Sequence, residues 1–287
     1  MIHFLTFASS NLAPTLKRIG KEAEESGFFD KIYLYDEHKL DKTFRKAHKQ
    51  YFRENPRGYG YWIWKPYLIL KTLKEKMADG DILVFLDAGC EIHRTGEKRW
   101  KEYIEYLDKF DCILIEHENY SVKNLTKIDA LLHFRMNDDE LALNRGQFHS
   151  GAIIVRRTAY MLHFIEEWYN CCEKFKTTLL CDVPSTHTEH PEFVGHRHDQ
   201  ALLTLLCMQV EPELKEANES SHFKILEQKE FYSRLPDWSD LHDFPFWARR
   251  NKEFAHPSLC SRAIRKIRLI GHFGCFLGVF FGIFQIA

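Results

Sequence analysis

The sequence predicts an α/β fold: an open, mixed but largely parallel sheet with helices on both faces, followed by an apolar and basic helical tail. Three observations carry this expectation. Strand-like and helix-like segments alternate from the first residues to about residue 175. Ile82-Leu83-Val84-Phe85-Leu86 is an uninterrupted apolar run after the turn Asp79-Gly80-Asp81, as a central strand covered on both faces requires. Finally, no residue from Leu269 to Ala287 carries a formal charge, while Arg262, Arg265, Lys266 and Arg268 stand directly before that stretch.

In chain order, residues 2–8 are β-branched and aromatic and end in the turn signal Ser9-Ser10-Asn11. Residues 14–26 have helical spacing, and Lys31-Ile32-Tyr33-Leu34-Tyr35 is a second strand. A charged helix is expected over 41–54, stopped by Asn55-Pro56-Arg57-Gly58, and another over about 66–77. The strand at 82–86 follows, then a helix over 97–109 and a strand at Cys112-Ile113-Leu114-Ile115. Gly151-Ala152-Ile153-Ile154-Val155 is the next strand, and residues 158 to about 175 form a long helix. There is no internal repeat and no low-complexity linker, so the reading is one domain with a C-terminal appendage.

Composition narrows the function. The 287 residues are 45% hydrophobic and 28% charged, enough to bury a sizeable core. Forty basic against 41 acidic side chains give a net charge of −1, which argues against nucleic acid as a partner held by bulk charge. None of the eight cysteines forms a C-x-x-C pair, so a reducing compartment fits better than a disulfide framework. Met1 to Ala8 lacks a basic n-region and its apolar run is too short for a signal peptide, so a cytoplasmic protein is expected. As a helix, residues 269–287 would extend about 28 Å, just short of a bilayer core. With the upstream Arg249, Arg250 and Lys252, this suits a tail lying on the inner leaflet; a final helix packed on the body is the alternative.

Four places could carry chemistry. Asp87 follows the central strand at the edge where open α/β sheets bind ligands, with Ala88 and Gly89 beside it for close backbone approach. An acid there commonly holds Mn²⁺ or Mg²⁺ bridging to substrate phosphates, and equally commonly caps a turn. Arg57-Gly58-Tyr59-Gly60-Tyr61-Trp62-Ile63-Trp64-Lys65-Pro66 packs aromatics between two cations ahead of a helix, suiting a phosphate site or an aromatic core segment. His196-Arg197-His198-Asp199-Gln200 opens an apolar helix; Asp199 would either cap it or orient and deprotonate a hydroxyl. Gln147 to Gly151, with Ser150, precedes a buried strand and is either a sugar-contacting segment or an ordinary turn. Cys181, His187, His190, His196 and His198 also raise a zinc site, although no H-E-x-x-H or C-x-x-C pattern fixes them on one element.

In this order, the segments Arg57 to Pro66, Leu86-Asp87-Ala88-Gly89-Cys90, Gln147 to Gly151 and His196 to Gln200 resemble a family of GT-A glycosyltransferases, found in bacterial surface-polysaccharide gene sets and elsewhere. The resemblance covers residues 1 to about 210. It implies a Rossmann-like donor half to about residue 92 with an acceptor half after it; joined to the tail read from composition, the expected organisation is a GT-A domain over 1–245, its acceptor half over 93–245, and a membrane-associating tail over 246–287. It also implies transfer from a nucleotide-diphosphate sugar to a growing glycan, and the C-terminal tail fits a lipid-linked acceptor at the inner face of a membrane. Asp87 stands where such enzymes carry the first acid of a D-x-D metal motif. Gly89 occupies the place of the second acid, and Glu91, two residues on, is the candidate replacement. The donor would meet Thr6, Phe7 and Ala8 with its base. Arg57, Tyr61, Trp64, Lys65, Ala88, Gly89, Gln147, Ser150, Gly151, His196, Arg197, His198 and Gln200 would hold the rest, with Asp199 and Asp87 as the catalytic acids. Two rival readings are a zinc hydrolase built on the His187–His198 cluster and a non-catalytic sugar-binding membrane protein.

Overall fold

The computed structural model describes residues 1–217, 219–233 and 243–255. The main sheet contains β1 (Ile2–Phe7), β2 (Lys31–Tyr35) and β3 (Ile82–Leu86). A short strand, β4 (Glu91–Ile92), stands apart from it and is followed by β5 (Cys112–Ser121), β6 (Gly146–Phe148), β7 (Ala152–Arg156) and β8 (Phe223–Glu227) of the main sheet. The spatial order is β2-β1-β3-β7-β5-β6, with β8 also on β5. β1 runs parallel to β2 and β3, and β8 parallel to β5, whereas β7 is antiparallel to both β3 and β5, and β6 is antiparallel to β5. Among the described strands, five therefore point one way and β6 and β7 the other: a mixed, largely parallel α/β sheet.

β3 is central, as its apolar run demands. Its five residues are all buried, in register with β1 on one side and β7 on the other. The reversal at β7 positions the site. Because β7 runs backwards, its first residues lie at the same edge as the carboxyl ends of β1 and β3. Asp87 N donates to Gly151 O at 2.8 Å across that edge.

Helices cover both faces. Ala13–Ser26 and Glu97–Tyr106 pack with one apolar layer, built around Phe4, Val84, Ile113 and Ile154. Trp64–Glu75, Ala159–Lys174 and His198–Val210 pack with the other, around Leu5, Leu83, Leu114 and Val155. Alternate strand residues thus serve opposite faces. The charged helix expected over 41–54 is two, Lys42–Ala47 and Lys49–Glu54, broken at His48 (φ −104°, ψ 7°), whose ring donates to Phe44 O at 2.9 Å.

A three-stranded sheet joins β4 to β9 (Tyr232–Ser233) and β10 (Phe246–Trp247). This corrects the expected boundary at residue 245. The compact unit runs Met1–Glu253, and residues 246–253 belong to it rather than to a tail. Phe246 is 1% exposed and lies against Trp100 and Tyr103, so an apolar core contact holds it in the domain. Of the membrane-associating tail, residues 256–287 lie outside the described residues. Among the described residues no helix is long and apolar enough to cross a membrane.

Candidate active site

A cavity of about 870 Å³ opens at the carboxyl ends of β1 and β3. Phe7 and Ala8 at the end of the first strand, Asp87 to Cys90 just after the third, and His149 to Ala152 at the start of β7 form one side. Arg57 to Tyr59, Trp62, Trp64 and Lys65 form another, and Arg197 to Gln200 complete the wall. The four sequence segments therefore converge on one pocket, as expected where strand ends and helix N-termini meet.

The chain Gly58-Tyr59-Gly60-Tyr61-Trp62 turns left-handed at every residue, with φ of 57°, 53°, 81°, 50° and 61°. The glycines adopt this freely, but each aromatic residue pays about 1–2 kcal/mol for it. Packing holds the turn in place. Tyr59 stacks on Phe52 at 4.4 Å between centroids, Tyr61 on His198 at 4.7 Å, and Trp62 lies 5.5 Å from His198. A Cβ on Gly58 would come within 2.5 Å of the Trp62 ring, and one on Gly60 within 2.6 Å of Phe52. The turn delivers Trp64 onto Phe7 at 4.0 Å, where its indole N–H donates to Gly58 O, and starts the helix that carries Lys65.

Lys65 is the centre of the site. It is 2% exposed, and its Nζ lies 3.2 Å from Asp199 Oδ2, 3.3 Å from Asp87 Oδ1 and 3.1 Å from Ser150 Oγ, to which it donates. Burial alone would lower the ammonium, but Asp199 and Asp87 outweigh it and raise the lysine above its ordinary pKa. Asp199 is equally buried, and burial pushes its carboxyl up against the pull of Lys65. Its Oδ2, though ion-paired, accepts no hydrogen bond among the described residues. It does not cap its helix: Arg197 is the N-cap and Asp199 lies in the first turn, its carbonyl tied to the Trp168 indole at 3.1 Å. The Asp87 carboxylate is 44% exposed and lies against Gly151, where a Cβ would come within 2.7 Å of Oδ2.

The remaining predicted residues divide by position. Ala88, Gly89, Gly151, Arg57, Arg197, His198 and Gln200 line the cavity. Arg57 is held by Asp182, its Nη1 donating to both carboxylate oxygens at 2.8 and 2.9 Å. His198 donates Nδ1–H to Leu180 O, and burial lowers its pKa to about 4, so its ring is neutral at ordinary pH. Gln200 donates to Gln147 Oε1, and Gln147 in turn to Thr126, so Gln147 supports the wall from behind. Thr6, Tyr61 and His196 are buried and do not line the cavity. Thr6 is enclosed because alternation along β1 turns it to the covered face opposite Phe7, while His196 donates to Leu179 O and accepts from Lys127 N.

Glu91 also lies elsewhere. It sits on β4, 6% exposed, accepting from Asn251 at 2.8 Å and pairing with Arg249 and His93 at 3.3 and 3.2 Å. It does not line the cavity or stand beside Asp87, so it does not replace the missing second acid. Asp87 is left as a single accessible carboxylate already paired with an ammonium, a poor fit to a divalent cation held by protein oxygens. The proposed zinc ligands diverge as well: Cys181 bonds to Thr178 O, His187 to Asp129, His190 to Glu192 N, and His196 and His198 to separate carbonyls. Among the described residues no three His, Cys, Asp or Glu side chains are grouped to hold a metal.

Sequence reasoning missed the segment that closes the pocket. Ala248, Arg250 and Lys252 line it, brought there by β10. The basic run was visible in sequence, but its placement depends on the pairing of two two-residue strands. Arg53, Arg57, Lys65, Arg197, Arg250 and Lys252 face Glu37, Asp87 and Asp199, so the lining carries a formal excess of three positive charges.

No protein-family model matches the chain, and no curated protein matches it. Solved structures give distant likenesses. Mouse xyloside xylosyltransferase 1 in its apo form is 13% identical, with a TM-score of 0.46 over 83% of this chain and 89% of that one. The galactosyltransferase LgtC, solved with donor and acceptor sugar analogs, is 16% identical, with a TM-score of 0.43 over 86% of each chain. A glycosyltransferase involved in glycosylation of the major capsid of PBCV-1 is 11% identical, with a TM-score of 0.41 over 86% of this chain and 92% of that one.

Proposed function

We propose that the chain is a glycosyltransferase of GT-A type that takes a sugar from a nucleotide-diphosphate donor and passes it to a glycan acceptor. One observation carries the reading: an aromatic-walled, cation-rich cavity at the strand ends, with the buried Lys65–Asp199 pair beneath it and the accessible Asp87 carboxylate beside it. The motif resemblance points the same way.

The residues divide the work by chemistry. Phe7, Ala8 and Trp64 offer an apolar face to the base. The lining cations take the diphosphate, on which negative charge accumulates as the sugar's C1–O bond breaks. Fixed cations aimed at that charge stabilise the transition state more than the bound donor. Ser150 and Gly151 leave room for the sugar against the backbone. Asp199 orients the sugar or receives a hydroxyl proton, its carboxyl held near the reacting groups by Lys65 and its backbone carbonyl by the Trp168 indole.

The acceptor in this reading is a lipid-linked glycan, reached from the cytoplasmic face of a membrane. The support is sequence alone: the basic residues before 269 and the uncharged stretch after it. Thermal-shift measurement with UDP, GDP, CMP and UDP-sugars tests the reading. At about a hundredfold excess over Kd, the matching nucleotide should add about 2.7 kcal/mol and raise Tm by about 5–10 °C. No shift with any of them would overturn it.

A further inference from the structure

Building on the glycosyltransferase reading, we propose that this pocket binds its diphosphate without a divalent cation: Lys65 fills the place between the acids, and Arg250 with Lys252 neutralises the phosphates. The geometry leaves no room for the alternative. A divalent ion shared by Asp87 and Asp199 would have to displace an ammonium that is 2% exposed and lies 3.3 and 3.2 Å from their oxygens. Gly89 supplies no second acid, and its open side lies in ordinary contact with the returning segment, where a Cβ would stand 3.4 Å from Arg250 Cα.

Lys65 is already matched by two carboxylates, so it contributes little net charge toward a phosphate. The charge has to come from elsewhere on the wall, and the returning segment supplies it. Arg250 and Lys252 are both exposed and both line the cavity. Their backbone is pinned from several sides. Asn251 N donates to Gly89 O at 2.9 Å, the Arg18 guanidinium donates to Asn251 O at 3.1 Å, and Glu253 N donates to Thr15 Oγ1 at 2.6 Å. Arg250 itself is held in the left-handed region at φ 54°, a conformation that non-glycine residues keep only where surroundings impose it. The result is a pinned strap presenting two cations over a floor cluster of one ammonium and two carboxylates that has no positive charge to spare. Such preorganisation costs nothing at the moment of reaction.

Calorimetric titration of the full chain with UDP, GDP, CDP, ADP and dTDP, in EDTA and in excess Mn²⁺, tests this. The matching diphosphate should bind with affinities that agree within about threefold in the two buffers. R250A/K252A should weaken binding by about tenfold or more, since a charge-assisted contact to phosphate is worth at least that factor. The charge-keeping variant R250K/K252R should restore most of it, with Tm unchanged in both. An affinity that rises more than about tenfold with Mn²⁺ would overturn the inference and leave the glycosyltransferase reading standing, as would wild-type affinity in R250A/K252A. Binding of no diphosphate in either buffer would overturn that reading and this inference together. The wild-type comparison decides metal independence even if the double variant fails to fold, and the single variants R250A and K252A then decide the role of the two cations.

Discussion

Replacing Lys65 with Met should destabilise the protein by an amount that depends on pH. Methionine is similar in length to the lysine stem and apolar, so it fills the same channel and the loss is electrostatic rather than a cavity. What changes is Asp199, which is 2% exposed and has the Lys65 ammonium at 3.2 Å as its counter-charge. Removing one partner of a buried ion pair costs about 3–5 kcal/mol. Asp87, with its carboxylate 44% exposed, adds little because water solvates it. In a domain of this size about 1 kcal/mol moves Tm by about 2–4 °C, so K65M should melt about 6–20 °C below wild type near neutral pH.

The sign of the pH dependence follows from Asp199. Burial already raises its carboxyl above the ordinary value against the opposing pull of Lys65, and without that pull it rises further. A carboxyl whose folded pKa exceeds its unfolded value contributes stability that is full below the unfolded pKa, about 4, and is lost as pH rises through the folded pKa. The gap between K65M and wild type should therefore be widest near neutrality and narrow toward about pH 4.5. Urea unfolding followed by tryptophan fluorescence at both pH values measures it. A gap below about 1 kcal/mol at neutral pH, or one of equal size at both, would refute the reasoning.

Three further outcomes are expected. In G151A the new Cβ would lie 2.7 Å from Asp87 Oδ2 and push the carboxylate out of place, so turnover should fall by at least about tenfold with a smaller Tm loss than in K65M; unchanged turnover would remove Asp87 from the mechanism. His198, with its pKa lowered to about 4 by burial, and His196, which burial holds well below its ordinary value, refuse protons that the unfolded chain accepts near pH 6.5. Their contribution is full above that pH and is lost as pH falls toward 4, so Tm should drop across this window and H198Q should flatten the drop. Deleting residues 269–287 should abolish binding to anionic lipid vesicles while leaving Tm and nucleotide binding intact; a truncated chain that still sediments with vesicles would contradict the membrane reading.

Much of the main sheet was legible because its signals are local. The apolar run of β3 marks a strand buried on both faces, and the charged helix faces between strands mark crossovers. The direction of β7 was not legible, since an apolar run of five residues reads the same forwards and backwards. β6, β9 and β10 are two or three residues long, too short for any periodicity, yet β10 decides where Arg250 and Lys252 go. At the site, the sequence brought out Lys65, Asp87 and Asp199 as separate candidates. Their union around one buried ammonium arises from residues 22 and 112 positions apart and has no local signature. Glu91 shows the opposite failure: its spacing from Asp87 suggested partnership, but the turn between them sends it into a network with Asn251 and Arg249.

The central claim is that the Lys65–Asp199–Asp87 pocket breaks a nucleotide-sugar bond. The most direct test incubates the full chain with UDP-, GDP-, CMP-, ADP- and dTDP-linked sugars, with oligosaccharides or water as the acceptor hydroxyl, and follows release of free nucleotide. One donor should be consumed above the buffer rate, releasing a nucleoside diphosphate, and D87N and D199N should each reduce that rate by about a hundredfold or more. Consumption of none of the donors, or a D199N variant as active as wild type, would contradict the account.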